Sequence, residues 1–135
     1  MSEQPKRILV VDDDRDIVEA LKTVLGASGY AVDTASSGTE CLAQVVRQRP
    51  DLIILDVMMD KDTEGFHVSY KLKGDASTKD IPILMLTAIG KRFGFKFSPQ
   101  EEEDYLPVED FIEKPVEPRE LLRRVEALLG EAGQP

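Results

Sequence analysis

This sequence is poor in residues that form disulfides or bind transition metals. It has one cysteine, which rules out an internal disulfide and suits a reducing compartment. We interpret that residue, Cys41, as a small core side chain rather than a reactive thiol. The single histidine, His67, has no cysteine or second histidine with which to share a metal. It is therefore expected to be a surface or half-buried residue.

Long apolar stretches and excess positive charge are absent as well. No run approaches the roughly 20 apolar residues that span a bilayer. Met1 to Lys6 is short and polar, unlike a signal peptide. The chain carries 17 basic and 26 acidic residues, a net charge of -9, which argues against sequence-independent binding to nucleic acid or anionic membrane. We expect a cytoplasmic domain that binds neither nucleic acid nor membrane.

The chain is organised around the stretch Asp51-Leu52-Ile53-Ile54-Leu55-Asp56. Four consecutive aliphatic residues predict a strand that is buried on both faces, as in the middle of a parallel sheet. Asp56 then lies at the carboxyl end of that strand, the edge where open α/β sheets bind ligands. Near the start of the chain, a second aliphatic run leads directly into Asp12 and Asp13. If the two strands are parallel neighbours, these acids meet Asp56 at one edge.

This meeting of acids is the main functional signal. Two carboxylates about 4 Å apart repel by about 4 kcal/mol at an effective dielectric constant near 20. Three together require a cation or must take up protons. Oxygen ligands without histidine or cysteine favour Mg²⁺, with Mn²⁺ as a possible substitute. A single acid at a strand end would be explained more simply as a helix N-cap, and Asp14 is a candidate for that role.

The order of elements indicates an α/β fold of five βα units in a single domain. The predicted strands are Ile8–Val11, Tyr30–Ala35, Leu52–Asp56, Ile83–Thr87 and Glu109–Glu113. Helices are expected from about Arg15 to Ser28, after the capping box Ser37-x-x-Glu40, over Glu64–Lys73 and Pro99–Tyr105, and from Pro118. The apolar stripes of the first two helices are Ile17, Ala20, Leu21, Val24, Leu25 and Cys41, Leu42, Val45, Val46. Short right-handed crossovers would cover both faces of a parallel sheet.

The pattern resembles the receiver domain of bacterial two-component response regulators. The resemblance rests on Val10-Val11-Asp12-Asp13, Leu55-Asp56-Val57-Met58-Met59, Leu86-Thr87-Ala88 and Lys114-Pro115. It covers residues from about 7 to 130. It implies a flavodoxin-like sheet of order 2-1-3-4-5, and a single receiver domain over residues 1–135 without an output domain.

The resemblance also implies roles for individual residues. Asp56 is the implied phosphoacceptor, which takes a phosphoryl group from a histidine kinase or phosphotransfer protein. Asp12, Asp13, Asp56 and the main-chain carbonyl of Met58 are the implied Mg²⁺ ligands. The groups implied to contact the phosphoryl oxygens or to switch with them are Thr87, Ala88, Lys114 and Phe111. Output would then be by contact with a downstream protein that the sequence does not identify, from a monomer or weak homodimer.

The chain departs from the family pattern in two loops. Asp60 stands where the family usually has proline, and the glycine that follows, Gly65, comes one residue late. The interval between Thr87 and Lys114 is longer than usual and rich in aromatic residues. Its rings are Phe93, Phe95, Phe97 and Tyr105. They either fold back over the sheet or form an exposed patch for a partner or a second copy.

Two alternative functions remain open from the sequence. The altered loops allow a degenerate receiver that binds partners without phosphorylation. A Mg²⁺-dependent phosphatase with an aspartyl nucleophile is less favoured, because Met58 stands where such enzymes commonly have a second acid. The leading expectation is therefore a phosphoacceptor domain that is not an enzyme, apart from its own phosphorylation and dephosphorylation.

Overall fold

The part of the chain that the structure describes contains five strands and four helices, and each of the first three strands is followed by a helix. The computed structural model describes residues 5–56, 64–87 and 109–130. The strands are β1 Arg7–Val11, β2 Ala31–Ala35, β3 Leu52–Asp56, β4 Ile83–Thr87 and β5 Asp110–Glu113. The helices are α1 Arg15–Ala27, α2 Gly38–Arg47, α3 Glu64–Lys73 and α4 Pro118–Leu129. The observed limits lie within one residue of most predicted ones. The predicted helix over Pro99–Tyr105 falls outside the described residues.

The strands form one parallel sheet of order β2-β1-β3-β4-β5, which confirms the predicted flavodoxin-like topology. Its register aligns the carboxyl ends of the central strands. Val11 pairs with Leu55, and Asp56 pairs with Leu86 in the next strand. Thr87 in turn pairs with Glu113. The residues that end β1, β3, β4 and β5 therefore meet at one edge of the sheet.

The sheet is the middle of three layers, as alternation along β3 shows. Ile53 and Leu55 point into the apolar cluster that includes Cys41 and Val45 of α2 and Val68 of α3. Leu52 and Ile54 point to the opposite face, where α1 and α4 pack through Leu21, Leu25, Leu121 and Val125. Because both faces are covered, all five residues of β3 are buried. The uninterrupted aliphatic run of this strand follows from that double burial.

Local signals begin and end the helices where the sequence predicts. Asp14 is the N-cap of α1, and its side chain accepts hydrogen bonds from the backbone N–H groups of Asp16 and Ile17. Ser37 accepts from the N–H of Glu40 at the start of α2. Gly130 ends α4 in the left-handed conformation, with φ of 78°. A glycine is favoured there because a Cβ atom would be strained at that backbone angle.

Two predicted core positions are wrong. Val46 is 87% exposed, although it was assigned to the buried stripe of α2. Ala20 of α1 is exposed as well, while Val18 packs against the core. Each misassigned residue is next in sequence to the residue that points most directly at the sheet, Val45 or Leu21. One residue turns a helix by about 100°, which carries the neighbour off the buried stripe.

His67 is exposed on α3, as predicted, and Cys41 is fully buried in the core. None of the helices within the described ranges has both the length and the apolarity needed to cross a bilayer.

Candidate functional site

The predicted acids do meet at the carboxyl edge of the sheet. Asp12 directly follows β1 and is only 1% exposed, and Asp56 ends β3 and is 2% exposed. Asp13 is exposed at the rim. Each of the three offers a carboxylate oxygen, and these oxygens lie within 4.8 Å of one another. The sheet register explains the juxtaposition of Asp12 and Asp56, because Val11 and Leu55, the residues before them, are paired.

Asp12 is held from three sides. Its N–H donates to the carbonyl of Ala35 at 3.1 Å, which extends the pairing of β1 with β2 by one residue. Its Oδ1 atom accepts from the N–H of Asp14 at 2.9 Å, and its Oδ2 atom lies 3.4 Å from Nζ of Lys114. The carboxylate is thus buried in a defined orientation rather than free to rotate.

Lys114 supplies the positive charge of the site. It follows β5 and precedes a cis peptide bond to Pro115. Its Nζ atom lies 3.0 Å from Oδ1 of Asp56. Partial burial by itself would lower the pKa of the Lys114 amine, but the hydrogen bond and charge of Asp56, together with Asp12, outweigh it and raise that pKa. Lys114 therefore stays protonated and neutralises part of the acid cluster at neutral pH.

The charges of this cluster do not balance. Among the described residues, three carboxylates against one ammonium leave an excess of two negative charges within a small volume. At these separations each unbalanced pair costs several kcal/mol, about 4 kcal/mol at 4 Å. A divalent cation would remove the excess. Carboxylate oxygens are the donors that Mg²⁺ prefers, and two of the three acids are already buried and oriented. The donor set thus fits Mg²⁺ held by Asp12, Asp13 and Asp56.

A polar cavity of about 560 Å³ opens beside the acids, between the start of α1 and the loop after β2. Asp12 and Asp13 form part of its wall, and Arg15, Glu19 and Ser36 lie around it. The cavity gives solvent a route to the acid cluster. No local sequence pattern indicates this cavity, because its walls come from two separate parts of the chain, residues 12–19 and 34–40.

The other predicted site residues divide into two groups. The backbone of Thr87 ends β4 at the same edge as Asp56. Phe111 is half-buried and packs against the cluster on the α2 and α3 face. The remaining predicted positions lie outside the described residues: Met58, Ala88, Phe93, Phe95, Phe97 and Tyr105. Their predicted roles stay predictions.

Arg124 makes contacts that the sequence did not predict. Its Nη1 atom donates to Oδ1 of Asp110 at 2.7 Å and to the carbonyl of Phe111 at 3.0 Å. Its Nε atom donates to Oε2 of Glu120 at 2.6 Å. The pKa of Arg124 is raised, chiefly by the Glu120 hydrogen bond. Arg124 therefore ties α4 to the backbone of the strand that leads to Lys114. Its spacing from Glu120, four residues, is a signal for the helical pair but not for the contact with β5.

The sequence matches known proteins over nearly its whole length. The family model described as "Response regulator receiver domain" matches residues 8–126. The DNA-binding dual master transcriptional regulator RpaA of Synechocystis is 40% identical over 127 residues, which cover 91% of this chain and 48% of RpaA. The alkaline phosphatase synthesis transcriptional regulatory protein PhoP of Bacillus subtilis is 42% identical over 124 residues, covering 92% of this chain and 48% of PhoP. The chain spans about half the length of these curated relatives.

Solved structures of receiver proteins resemble the fold over nearly their full length. The chemotaxis response regulator CheY4 of Vibrio cholerae is 31% identical with a TM-score of 0.77, and the match covers 92% of this chain and 98% of CheY4. A CheY-like response regulator receiver domain protein of Methanospirillum hungatei is 29% identical with a TM-score of 0.77, covering 94% and 95%. With the family model over most of the chain and the acids and lysine gathered at one edge, this chain belongs to the response regulator receiver domain family of two-component signalling.

Proposed function

We propose that this chain is a phosphoacceptor switch. Asp56 accepts a phosphoryl group from a histidine kinase or phosphotransfer protein, and the modified domain changes its affinity for a partner protein. The observation that carries the proposal is the crevice around Asp56, where Lys114 lies 3.0 Å away and two further acids supply metal-binding oxygens. Phosphorylation of an aspartate and Mg²⁺ binding, which are general to receiver domains, both fit this arrangement.

The chemistry follows from the charges around Asp56. An Asp56 carboxylate oxygen attacks the phosphorus atom, a new oxygen–phosphorus bond forms, and the bond to the donor breaks, giving an acyl phosphate. Transfer of this kind depends on alignment and charge neutralisation more than on proton transfer. Mg²⁺ bound by Asp12, Asp13 and Asp56 would supply charge neutralisation for the phosphoryl oxygens. Lys114 neutralises part of the negative charge around Asp56 beforehand and offers a mobile ammonium group to the phosphoryl oxygens afterwards.

The switch is proposed to run through the ends of β4 and β5. Thr87 and Ala88 respond to the new phosphoryl oxygens, and Phe111 moves with them. Because Arg124 donates to the carbonyl of Phe111, a shift of this strand is transmitted to α4. The aromatic segment with Phe93, Phe95, Phe97 and Tyr105 is the proposed partner surface.

The proposed output is by protein contact, without catalytic turnover on other substrates. The net charge of -9 disfavours sequence-independent binding to nucleic acid. The relatives RpaA and PhoP are described as transcriptional regulators of about twice this length. We further propose a cytoplasmic location and a monomer or weak homodimer.

The test is incubation with Mg²⁺ and a small acyl phosphate, followed by intact mass measurement. A single phosphate adduct is expected for the wild type and for Asp80→Asn, which alters an exposed acid before β4. The adduct should be absent in Asp56→Asn. Continuous release of inorganic phosphate would point instead to an aspartyl-nucleophile phosphatase. No adduct in any variant would point to a degenerate receiver that acts by binding alone.

A further inference from the structure

The third acid of the Asp12-Asp13-Asp14 run has no place in the proposed metal set. Asp14 is exposed, and it does not belong to the group of acids whose oxygens gather at the site. It nevertheless contacts both the site and α1. Its N–H donates to Oδ1 of the buried Asp12 carboxylate at 2.9 Å. Its own side chain caps the first turn of α1.

Asp14 contacts Asp12, which precedes it in the chain, and the first turn of α1, which follows it. Oδ1 of Asp14 accepts from the N–H of Asp16 at 3.0 Å and of Ile17 at 3.4 Å. Its carbonyl accepts the first helical hydrogen bond, from the N–H of Val18 at 3.1 Å. The cap therefore fixes the backbone of residue 14 against the helix. The fixed backbone in turn aims its N–H group at Asp12.

We propose that Asp14 is a positioning residue, which orients the Asp12 carboxylate for Mg²⁺ by capping α1. The proposal rests on the proposed function of the site. Without the cap, the N–H groups of Asp16 and Ile17 lose their partner and the first turn frays. The N–H of residue 14 then no longer holds Oδ1 of Asp12 in one place. Hydrogen-bond partners behind a metal ligand commonly change metal affinity by about 10–100-fold.

The charge of Asp14 is a separate effect that the variants must distinguish. Asp14→Asn keeps a capping oxygen but removes the negative charge, and Asp14→Ala removes both. If Asp14 acts by positioning, Asp14→Asn should bind Mg²⁺ nearly as tightly as the wild type. Asp14→Ala should bind it about 10-fold more weakly. Equal weakening in both variants would overturn the proposal in favour of a simple charge effect.

A loss of stability alone must also be distinguished. Thr78→Ala is a matched control, since the buried Thr78 hydroxyl donates to the carbonyl of Leu72 at the far end of α3. It should lower the free energy of unfolding without changing the Mg²⁺ dissociation constant, measured by titration calorimetry. If Thr78→Ala weakens Mg²⁺ binding as much as Asp14→Ala does, the positioning role is wrong.

Amide hydrogen exchange without metal gives a second readout. The N–H of residue 14 should be protected in the wild type and in Asp14→Asn, and should exchange faster in Asp14→Ala. Unchanged protection in Asp14→Ala would overturn the proposal. Failure of the proposed metal site is distinguishable from failure of the positioning role. If the wild-type protein binds no Mg²⁺, the proposed metal site itself is wrong. Wild-type binding combined with unchanged binding in Asp14→Ala would overturn the positioning role alone.

Discussion

The Nζ atom of Lys114 lies 3.0 Å from Oδ1 of Asp56, although β4 separates the strands from which they come. Neighbouring strands are about 4.8 Å apart, so this contact, made through both side chains, spans roughly two strand spacings. It does so because Lys114 follows the last residue of β5, where its long side chain is free to lean back over the edge of the sheet. This one contact neutralises the buried acid and links β3 to β5.

Replacing Lys114 by methionine should destabilise the protein. The change leaves Asp56 and Asp12 buried without their cation, and breaking a fully buried ion pair costs about 3–5 kcal/mol. Because the Lys114 side chain is 24% exposed, we expect a smaller loss, roughly 1–3 kcal/mol, in urea unfolding at neutral pH. Lys79→Met, at an exposed position before β4, is the control and should change little. Equal stability of Lys114→Met and the wild type would show that the pair contributes nothing to folding.

Magnesium should stabilise the folded protein through the acid cluster. A ligand that binds only the folded state adds about 2.7 kcal/mol when its concentration is 100 times the dissociation constant. The melting temperature of the wild type should therefore rise with Mg²⁺ in a scanning calorimeter. Asp13→Ala removes one of the three gathered carboxylates at an exposed position and should abolish most of that rise. Asp80→Ala, at the opposite edge of the sheet, should retain it. A full rise in Asp13→Ala would separate the stabilisation from the proposed metal site.

Two adjacent valines of α2 should respond differently to the same substitution. Val45 is 4% exposed and packs in the core, whereas Val46 is 87% exposed. Val45→Ala should lower the free energy of unfolding by roughly 1–3 kcal/mol, because it removes buried methyl groups and leaves a cavity. Val46→Ala should change it by less than about 0.5 kcal/mol. Chemical denaturation of both variants measures the difference. Similar losses in both would mean that Val46 is buried in solution by a contact that this structure does not contain.

Burial of Cys41 should make stability fall at alkaline pH. Burial raises the pKa of its thiol from 9.0 to about 12. Above pH 9.0 the Cys41 thiol therefore ionises in the unfolded chain but not in the folded protein. The contribution of this thiol to stability is fully present below pH 9.0 and is lost as pH rises toward 12. At pH 10 the loss should be roughly 1–2 kcal/mol. Tyrosines and lysines also titrate there, so the comparison is with Cys41→Ala.

Denaturant unfolding of both proteins at pH 8 and pH 10 gives the required difference. The fall in stability from pH 8 to pH 10 should be roughly 1–2 kcal/mol larger in the wild type than in Cys41→Ala. The baseline stability of Cys41→Ala will be lower because of its smaller side chain, but only the slope matters. Parallel slopes would mean that the thiol is accessible to solvent in the folded state.

Local sequence patterns predicted much of the backbone. The unbroken aliphatic run of β3 required burial on both faces, and the structure provides it with helices on each side. The caps at Asp14 and Ser37 were readable because they depend on hydrogen bonds within three residues. The burial of side chains at the borders of helix faces was predicted less well. Val46 was misassigned because periodicity cannot tell how wide a stripe the sheet covers.

The amino-acid sequence by itself determined the order of strands and helices, the edge at which the acids gather, and the oxygen-rich character of the site. These features follow from residue periodicity and from the right-handed crossover, which act over a few residues or one βα unit. The family resemblance placed Lys114 near Asp56, but only the tertiary structure decided that its Nζ atom lies 3.0 Å from the Asp56 carboxylate and that Arg124 holds the carbonyl of Phe111. The physical reason is that both contacts depend on how separate elements dock, at distances and angles that no local pattern encodes.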